Sequence, residues 1–373
     1  MPISTAASRV VAPRRLLYGP GPSMVDPRAY QAMNQPVLGI RDAYFLQLVG
    51  EVRDGLRHVF GTSNHATFPI PASGSGAMEA AVANFVMPGA KFAVFTAGLF
   101  AERIAAMGRR HGANVVRADK AWGQIFSEDE AEEFISREKP DVVAFVQAET
   151  STGAYQSGRA IAPTAKRHGA LVIGDTVTSL GAMPVELDEV GIDVAFSCAQ
   201  KGLSCPAGLS PLSVSERAWE WLAKRDSEPD TWYLDLRLLA RYFDPPHVYH
   251  HTPAPPLYYA MHQSLAAILE EGLQERWQRH RRAGERLCAG LERLGFTFLV
   301  ENPKHRLWHL TTVVPPAAVN EADLRQRLLD RHDIEIASGL GLLAGKILRI
   351  GTMGPLANDA DVDFLLEAIG GCL

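Results

Sequence analysis

The sequence predicts an α/β protein: a parallel or mixed sheet covered on both faces by helices, followed by a smaller α+β domain. Three observations carry this. First, the chain has 373 residues, 47% hydrophobic and 21% charged, enough for two domains at roughly 100–200 residues each and close to the soluble globular average. Second, from about residue 70 to residue 215, short β-rich runs alternate with helical patterns, the rhythm of a sheet with crossover helices. Third, that rhythm stops between Pro229 and Pro256, where Pro245, Pro246, Pro253, Pro255 and Pro256 stand among aromatics and histidines. With little Gly or Ser, this stretch reads as a crossing loop and not a flexible linker.

Taken in order, Lys91–Ala97 (KFAVFTA) reads as a buried strand and Leu99–His111 as a helix. Asn114–Arg117 is a short strand. Ser127–Glu138 is a helix opened by a capping box of Ser127 and Glu130. Asp141–Gln147 (DVVAFVQ) is a strand and Ala160–His168 a helix. Leu171–Gly174 is a strand ending at Asp175, and Val194–Ser197 is another. Beyond the proline stretch, Leu257–Leu294 reads as a long helical run kinked around Gly272. Strands follow at Thr297–Val300 and Leu310–Val314, then a helix over Glu321–Asp330. Strands at Ile334–Ala337 and Ile347–Ile350 precede a last helix near Asp359–Ile369. The domains are placed at 1–20 (an N-terminal arm over a partner), 21–270 and 271–373.

Composition excludes several functions. A net charge of −5, from 37 basic and 42 acidic residues, lacks the basic excess of a nucleic-acid binder. No apolar run approaches the ~18 residues of a membrane span. Four cysteines, Cys198, Cys205, Cys288 and Cys372, are too few for a disulfide scaffold. The N-terminal MPISTAASRVVAPRR lacks the apolar core of a secretory signal, and the chain is expected in the cytoplasm.

Lys201 is the first candidate catalytic residue. It lies in SCAQKGLSCPAG, just past a buried strand, among small residues. A lysine among apolar groups loses solvation, so its ammonium is disfavoured and its amine becomes nucleophilic. That is the requirement of a Schiff-base lysine. Asp175, in GDTVTSLGA, ends the preceding strand and could hold a pyridine nitrogen protonated. Ser73-Gly74-Ser75-Gly76 stands directly before the helical run Ala77–Val86. Small residues at a helix N-terminus turn backbone N–H groups toward an anion, here a phosphate. Arg349 sits on the apolar strand ILRIGTM, and arginine forks onto a carboxylate with two parallel bonds. The blander readings are a solvated loop lysine, an N-cap aspartate, a plain Gly/Ser turn and a sheet-edge salt bridge. The order of cradle, acid and lysine, each at a strand–loop–helix junction, favours the chemical one.

These residues also carry a resemblance. LLYGPGPSMVDPR, SGSGAMEAA, AETSTG, GDTVTSLGA, QKGLSCPAG, YHHT and LRIGTMG together resemble the class V aminotransferases of pyridoxal-phosphate fold type I. The likeness is greatest to their alanine–glyoxylate and serine–glyoxylate (serine–pyruvate) branch. The resemblance covers nearly the whole chain. It implies a large domain with a mixed, mostly parallel, seven-stranded sheet plus a smaller C-terminal α+β domain, with pyridoxal 5'-phosphate as cofactor. By the same resemblance, Lys201 would hold the cofactor as a Schiff base and Asp175 would pair with the pyridine nitrogen. Ser73, Gly74 and Ser75, with Gln200 beside them, would hold the phosphate. Ser151 would bond the phenolic oxygen. Phe100 and Val177 would press on opposite ring faces. Tyr249 and Thr252 would reach the phosphate of the neighbouring subunit, making a homodimer obligatory. Arg349 would bind the substrate carboxylate, and the GPGP run from Gly19 to Pro22, Gly21 included, would line the substrate mouth.

The implied reaction moves an amino group from alanine or serine to glyoxylate or pyruvate. One cationic anchor is assignable, so a dicarboxylic donor would bring an unpaired charge into the site. The sequence departs from the family in Gly39-Ile40-Arg41-Asp42, where Ile40 replaces a usual polar residue. The ureidoglycine–glyoxylate type typically has glutamine there and asparagine at Tyr249; a specialised donor of that type is the alternative. Less favoured are a fold-related lyase, for which no cysteine is well placed, and a non-catalytic binding module, which would have lost Lys201, Asp175 or Arg349. Gly339–Ala344 matches a dinucleotide-loop pattern but precedes a strand. His250 and His251, read on a strand, would point to opposite faces, and no metal is expected.

Overall fold

In the computed structural model, residues 11–373 are described; residues 1–10 of the predicted arm lie outside the described residues. The central sheet has seven strands: β1 (Ala66–Ile70), β2 (Lys91–Thr96), β3 (Asn114–Asp119), β4 (Val142–Val146), β5 (Leu171–Asp175), β6 (Val194–Phe196) and β7 (Ser210–Val214). Their spatial order is β1-β7-β6-β5-β4-β2-β3. Only β7 runs antiparallel to its neighbours. The sheet is thus mixed and mostly parallel, as the resemblance implied. Every residue of β4 and β5 is buried, which follows from helices covering both faces.

Strands β1 and β7 escape a reading by residue type because each contains a proline, a residue that demotes a run to non-strand. In the fold Pro211 stands directly opposite Pro69. The two residues without an N–H share one rung, so the ladder loses its donors at a single place. The capping box is present as predicted: Glu130 N–H donates to Ser127 Oγ at 3.3 Å, and Ser127 N–H donates to Glu130 Oε2 at 2.8 Å.

The long helical run is two helices, Pro255–Glu271 and Leu273–Arg293, joined at Gly272 with φ 81°. Beyond it a second sheet forms from β8 (Thr297–Phe298), β9 (Leu310–Val314), β10 (Ala337–Ser338) and β11 (Leu348–Gly351), in the order β8-β9-β11-β10, all antiparallel. The predicted strand Ile334–Ala337 is divided between two partners. Ile334–Glu335 pairs with Leu16–Leu17 and Ala337–Ser338 with β11. Apolar side chains form one large cluster around the central sheet and a second around β9, β11 and the last helix, which Tyr18 joins. Residues 16–18 therefore pack on the C-terminal part of their own chain. Among the described residues no helix is long and apolar enough to cross a membrane.

Candidate active site

The loops leaving the carboxyl ends of the parallel strands converge, which is where open α/β sheets bind ligands. Asp175 is the last residue of β5. Gly98 follows β2, Glu149 follows β4, Lys201 follows β6 and Ser73 follows β1. The structure gathers most of the sequence-predicted residues here.

Lys201 is largely enclosed. Its Nζ donates to the Pro20 carbonyl. Burial lowers its pKa first; Arg349 pushes the same way, while Cys198, Asp175 and Glu149 oppose. The GPGP run lies against this side chain. A Cβ on Gly21 (φ 124°) would come within 2.6 Å of Lys201 Cδ and Cε. The same segment is bonded at both ends: Ser23 Oγ donates to Lys201 O at 2.7 Å, and Gly351 N–H donates to Tyr18 O. Segment 18–23 thus joins the lysine loop to the end of β11.

Asp175 is 2% exposed, and its Oδ1 accepts from Val177 N–H at 2.9 Å. Burial raises its pKa to about 7; Glu149 adds to the rise, while the Val177 bond and Lys201 oppose it. A buried carboxyl with one backbone donor still has capacity for a cationic N–H.

The cradle is built as the spacing suggests. Ser73 is the N-cap of the helix Gly74–Phe85, and its hydroxyl makes no cap bond. Ser73 and Ser75 are exposed, whereas Gly74 is buried. A Cβ on Gly74 would sit 3.3 Å from both Val177 and Cys198 side chains. The cradle, the acid loop and the lysine loop therefore meet at one point. Beside it, buried Gln200 Oε1 has no hydrogen-bond partner among the described residues.

Glu149 is the functional residue that sequence reading missed. It is 5% exposed, and its carboxylate accepts from the N–H groups of Phe100 (3.1 Å), Ala101 (3.3 Å) and Ser151 (3.0 Å) and from Ser151 Oγ at 2.5 Å. It thereby caps the helix Leu99–Arg110 and fixes the backbone of Phe100. Burial still raises its pKa against those four donors. Gly98 makes room for it: an added Cβ there would lie 2.3 Å from Glu149 Cγ. Ser151, expected to face the cofactor's oxygen, spends its hydroxyl inside the protein. It donates to Glu149 and accepts from Leu99 N–H at 3.0 Å. Phe100 is half-buried, with the Arg103 guanidinium 4.9 Å from its ring centre.

Arg349 lies on β11 and is 6% exposed. Its Nε donates to Ser338 O at 2.8 Å and its Nη1 to Thr150 O at 3.3 Å. Among the described residues no carboxylate forms an ion pair with it. Burial lowers its pKa to about 10, with Glu149 opposing. A buried guanidinium bonded only to carbonyls is set to receive an anion.

Tyr249 and Thr252 are not brought to this cluster. Tyr249 is 54% exposed, and its hydroxyl meets Thr252 Oγ1 at 3.1 Å. His250 and His251 lie in a loop and not on a strand, with their Nδ1 atoms 3.2 Å apart. Among the described residues no group of three His, Cys, Asp or Glu side chains is placed to hold a metal. After Gly339 the chain makes a short 3-10 turn, Gly341–Leu343, and then β11, so the dinucleotide-like pattern faces no helix N-terminus.

Comparison with known proteins agrees with this geometry. The family model described as "Aminotransferase class-V" matches residues 29–363. An alanine–glyoxylate aminotransferase from Callithrix jacchus is 37% identical over 96% of this chain and 87% of its own. An (S)-ureidoglycine–glyoxylate transaminase from Bacillus subtilis is 34% identical over 97% and 91%. The crystal structure of an alanine–glyoxylate aminotransferase from Nostoc sp. superposes with a TM-score of 0.96 at 42% identity, covering 98% of this chain and 97% of that one. Matched along almost its full length by both sequence and fold, the chain belongs to the class-V aminotransferases.

Proposed function

We propose that this aminotransferase uses pyridoxal 5'-phosphate to move an amino group from alanine or serine to glyoxylate or pyruvate. The observation that carries the reading is the triangle of Lys201, Asp175 and Arg349. It holds a buried amine with a lowered pKa, a buried carboxyl with capacity for a cation, and a buried guanidinium without an acidic partner. The remaining residues fit the same cofactor. Gly74 allows close backbone approach, the Gly74–Phe85 helix offers its N-terminal N–H groups to a phosphate, and the Gln200 side-chain amide has an NH2 donor to offer it. Ser73, Gly74, Ser75 and Gln200 are assigned to the phosphate, and Phe100 and Val177 to the two ring faces.

When bound, the cofactor supplies an electron sink for the substrate's α-carbon. Arg349 orients the substrate by its carboxylate. Asp175 takes the charge of the pyridine N–H, and its pKa falls when that cation arrives. Lys201 Nζ, its pKa lowered by burial, would accept the substrate's α-proton and return a proton at the neighbouring carbon. Gly21 leaves room for that amine to swing.

Tyr249 and Thr252, exposed and paired with each other, are assigned to the phosphate of a second copy in a cytoplasmic homodimer. A ureidoglycine-type donor is the second reading. Relatives with that name are as similar as 34%, yet Ile40 and Tyr249 stand where that type typically has other residues. The test is a visible absorption band on adding pyridoxal phosphate, lost in Lys201→Ala, followed by a panel of donors against glyoxylate and pyruvate. Preference for glutamate overturns the substrate reading; absence of a Lys201-dependent band overturns the cofactor reading.

A further inference from the structure

Arg276 stands in the first turn of the helix Leu273–Arg293 and is 5% exposed. It serves two loops of the active site from behind. Its Nε donates to Gly181 O at 2.8 Å and its Nη2 to Gly202 O at 2.8 Å. Gly202 directly follows Lys201, and Gly181 closes the turn that begins at Asp175. The two glycines touch. A Cβ on Gly202 would lie 2.4 Å from Leu180 O, and one on Gly181 (φ 80°) 2.9 Å from Gly202 O.

The third arm of Arg276 holds Glu271, with Nη1 to Oε2 at 2.8 Å. Arg279 grips the same carboxylate, with Nε to Oε1 at 2.6 Å and Nη2 to Oε2 at 3.0 Å. Arg279 Nη1 then donates to Gly354 O and Ala357 O, both at 2.8 Å. That segment follows β11, the strand bearing Arg349. The joint between the two long helices, Gly272, falls between Glu271 and the two arginines. Two arginines and one glutamate thus connect three loops of the site, bonding backbone carbonyls in each. Arg276 is buried, and Glu271 and Arg279 are half-buried; ion pairs of this kind contribute little net stability against a well-packed apolar alternative, but their hydrogen bonds are directional.

We propose that the Arg276–Glu271–Arg279 triad is a positioning device that locks the Asp175 and Lys201 loops to the segment following Arg349's strand, holding lysine and carboxylate anchor at one spacing. The proposal rests on the reading of the site given above, but its test does not need the cofactor.

Arg279 contacts Glu271, Gly354 and Ala357 and neither of the two loops. Hydrogen–deuterium exchange is measured on the cofactor-free full chain, wild type against Arg279→Gln. The expected result is faster exchange not only around residues 354–357 but also in peptides over 176–182 and 198–205, by about threefold or more, the scale of coupling within one network. A change confined to the 354–357 region overturns the proposal. If Arg279→Gln does not melt cooperatively, Arg279→Lys, which keeps the cation and loses the fork, is read by the same two outcomes. In cofactor-loaded protein the same variant is expected to shift the pH midpoint of the visible band, which reports on Lys201; an unshifted midpoint counts against the proposal. A wild-type protein with no visible band refutes the cofactor reading and leaves the exchange result to decide this one.

Discussion

Arg349 and Asp175 are both charged groups the fold has stripped of solvent, and each yields a different kind of measurement. For Arg349 the observable is kinetic. Arg349→Ala removes the fork, so KM should rise for both amino donor and oxo acceptor. The loss in kcat/KM should be on the order of 2–5 kcal/mol, the scale of breaking a buried charge pair. Kinetics unchanged from wild type for both substrates would assign the carboxylate to another residue. For Asp175 the observable is stability against pH in the cofactor-free chain. Its pKa is near the usual 3.8 when unfolded and about 7 when folded, so between these values the folded state binds more protons. Stability therefore falls as pH rises from about 4 to about 7 and levels off above, a cost on the order of 4 kcal/mol. Asp175→Asn should lack that slope, so that the difference between the two urea-derived curves carries it, and should bind cofactor more weakly. Lys201, Asp175 and Arg349 were legible in the sequence because each is a charged residue in a run of small or apolar neighbours. Glu149 was not, because its donors Phe100 and Ala101 lie far back along the chain and nothing local announces the pairing.

At the scale of one element, the helix Leu99–Arg110 shows how a single carboxylate positions a ring. Its N-cap is Gly98, which has no side chain to cap with, so the capping acceptor arrives from the next loop as Glu149. Glu149→Ala should cost about 1–3 kcal/mol of stability, the price of leaving buried N–H donors unpaired. It should also loosen Phe100, seen as weaker induced circular dichroism of bound cofactor. Glu149→Gln keeps an acceptor and should recover most of the stability; an alanine variant as stable as wild type would remove Glu149 from this role. The strands were read from sequence where they are β-branched and proline-free, as in β4. They were lost where Pro69 and Pro211 interrupt the pattern, because the compensation, one proline facing the other, exists only after pairing.

For the whole molecule, the central sheet places Lys201, Asp175 and Ser73–Ser75, while the C-terminal part supplies Arg349, the proposed carboxylate anchor. Near Tyr249, the aromatic residues Trp232 and Tyr233 are 66% and 46% exposed, an apolar surface continuous with the residues assigned to a second copy. If the site is shared, two defective chains should repair each other. Mixing Lys201→Ala chains with chains carrying both Tyr249→Ala and Thr252→Ala, then refolding together, should give hybrid dimers with one intact site. Random pairing returns about a quarter of wild-type activity in such a mixture. Recovery no greater than the sum of the separate variants would show that each chain completes its own site.

The segment that covers Lys201 also sets an order of events in biosynthesis. Leu16 and Leu17 leave the ribosome long before their strand partners, Ile334 and Glu335, and Tyr18 long before Gly351, whose N–H its carbonyl accepts. Contacts this distant along the chain form late and slowly. The near end of the segment closes on Lys201 through Pro20 and Ser23, whose partners lie no further than residue 201, while its far end waits for Ile334 to Gly351. A chain cut before Ile334 should therefore hold this cover at one end only, and its Lys201 amine should react faster with an aldehyde than in the full chain.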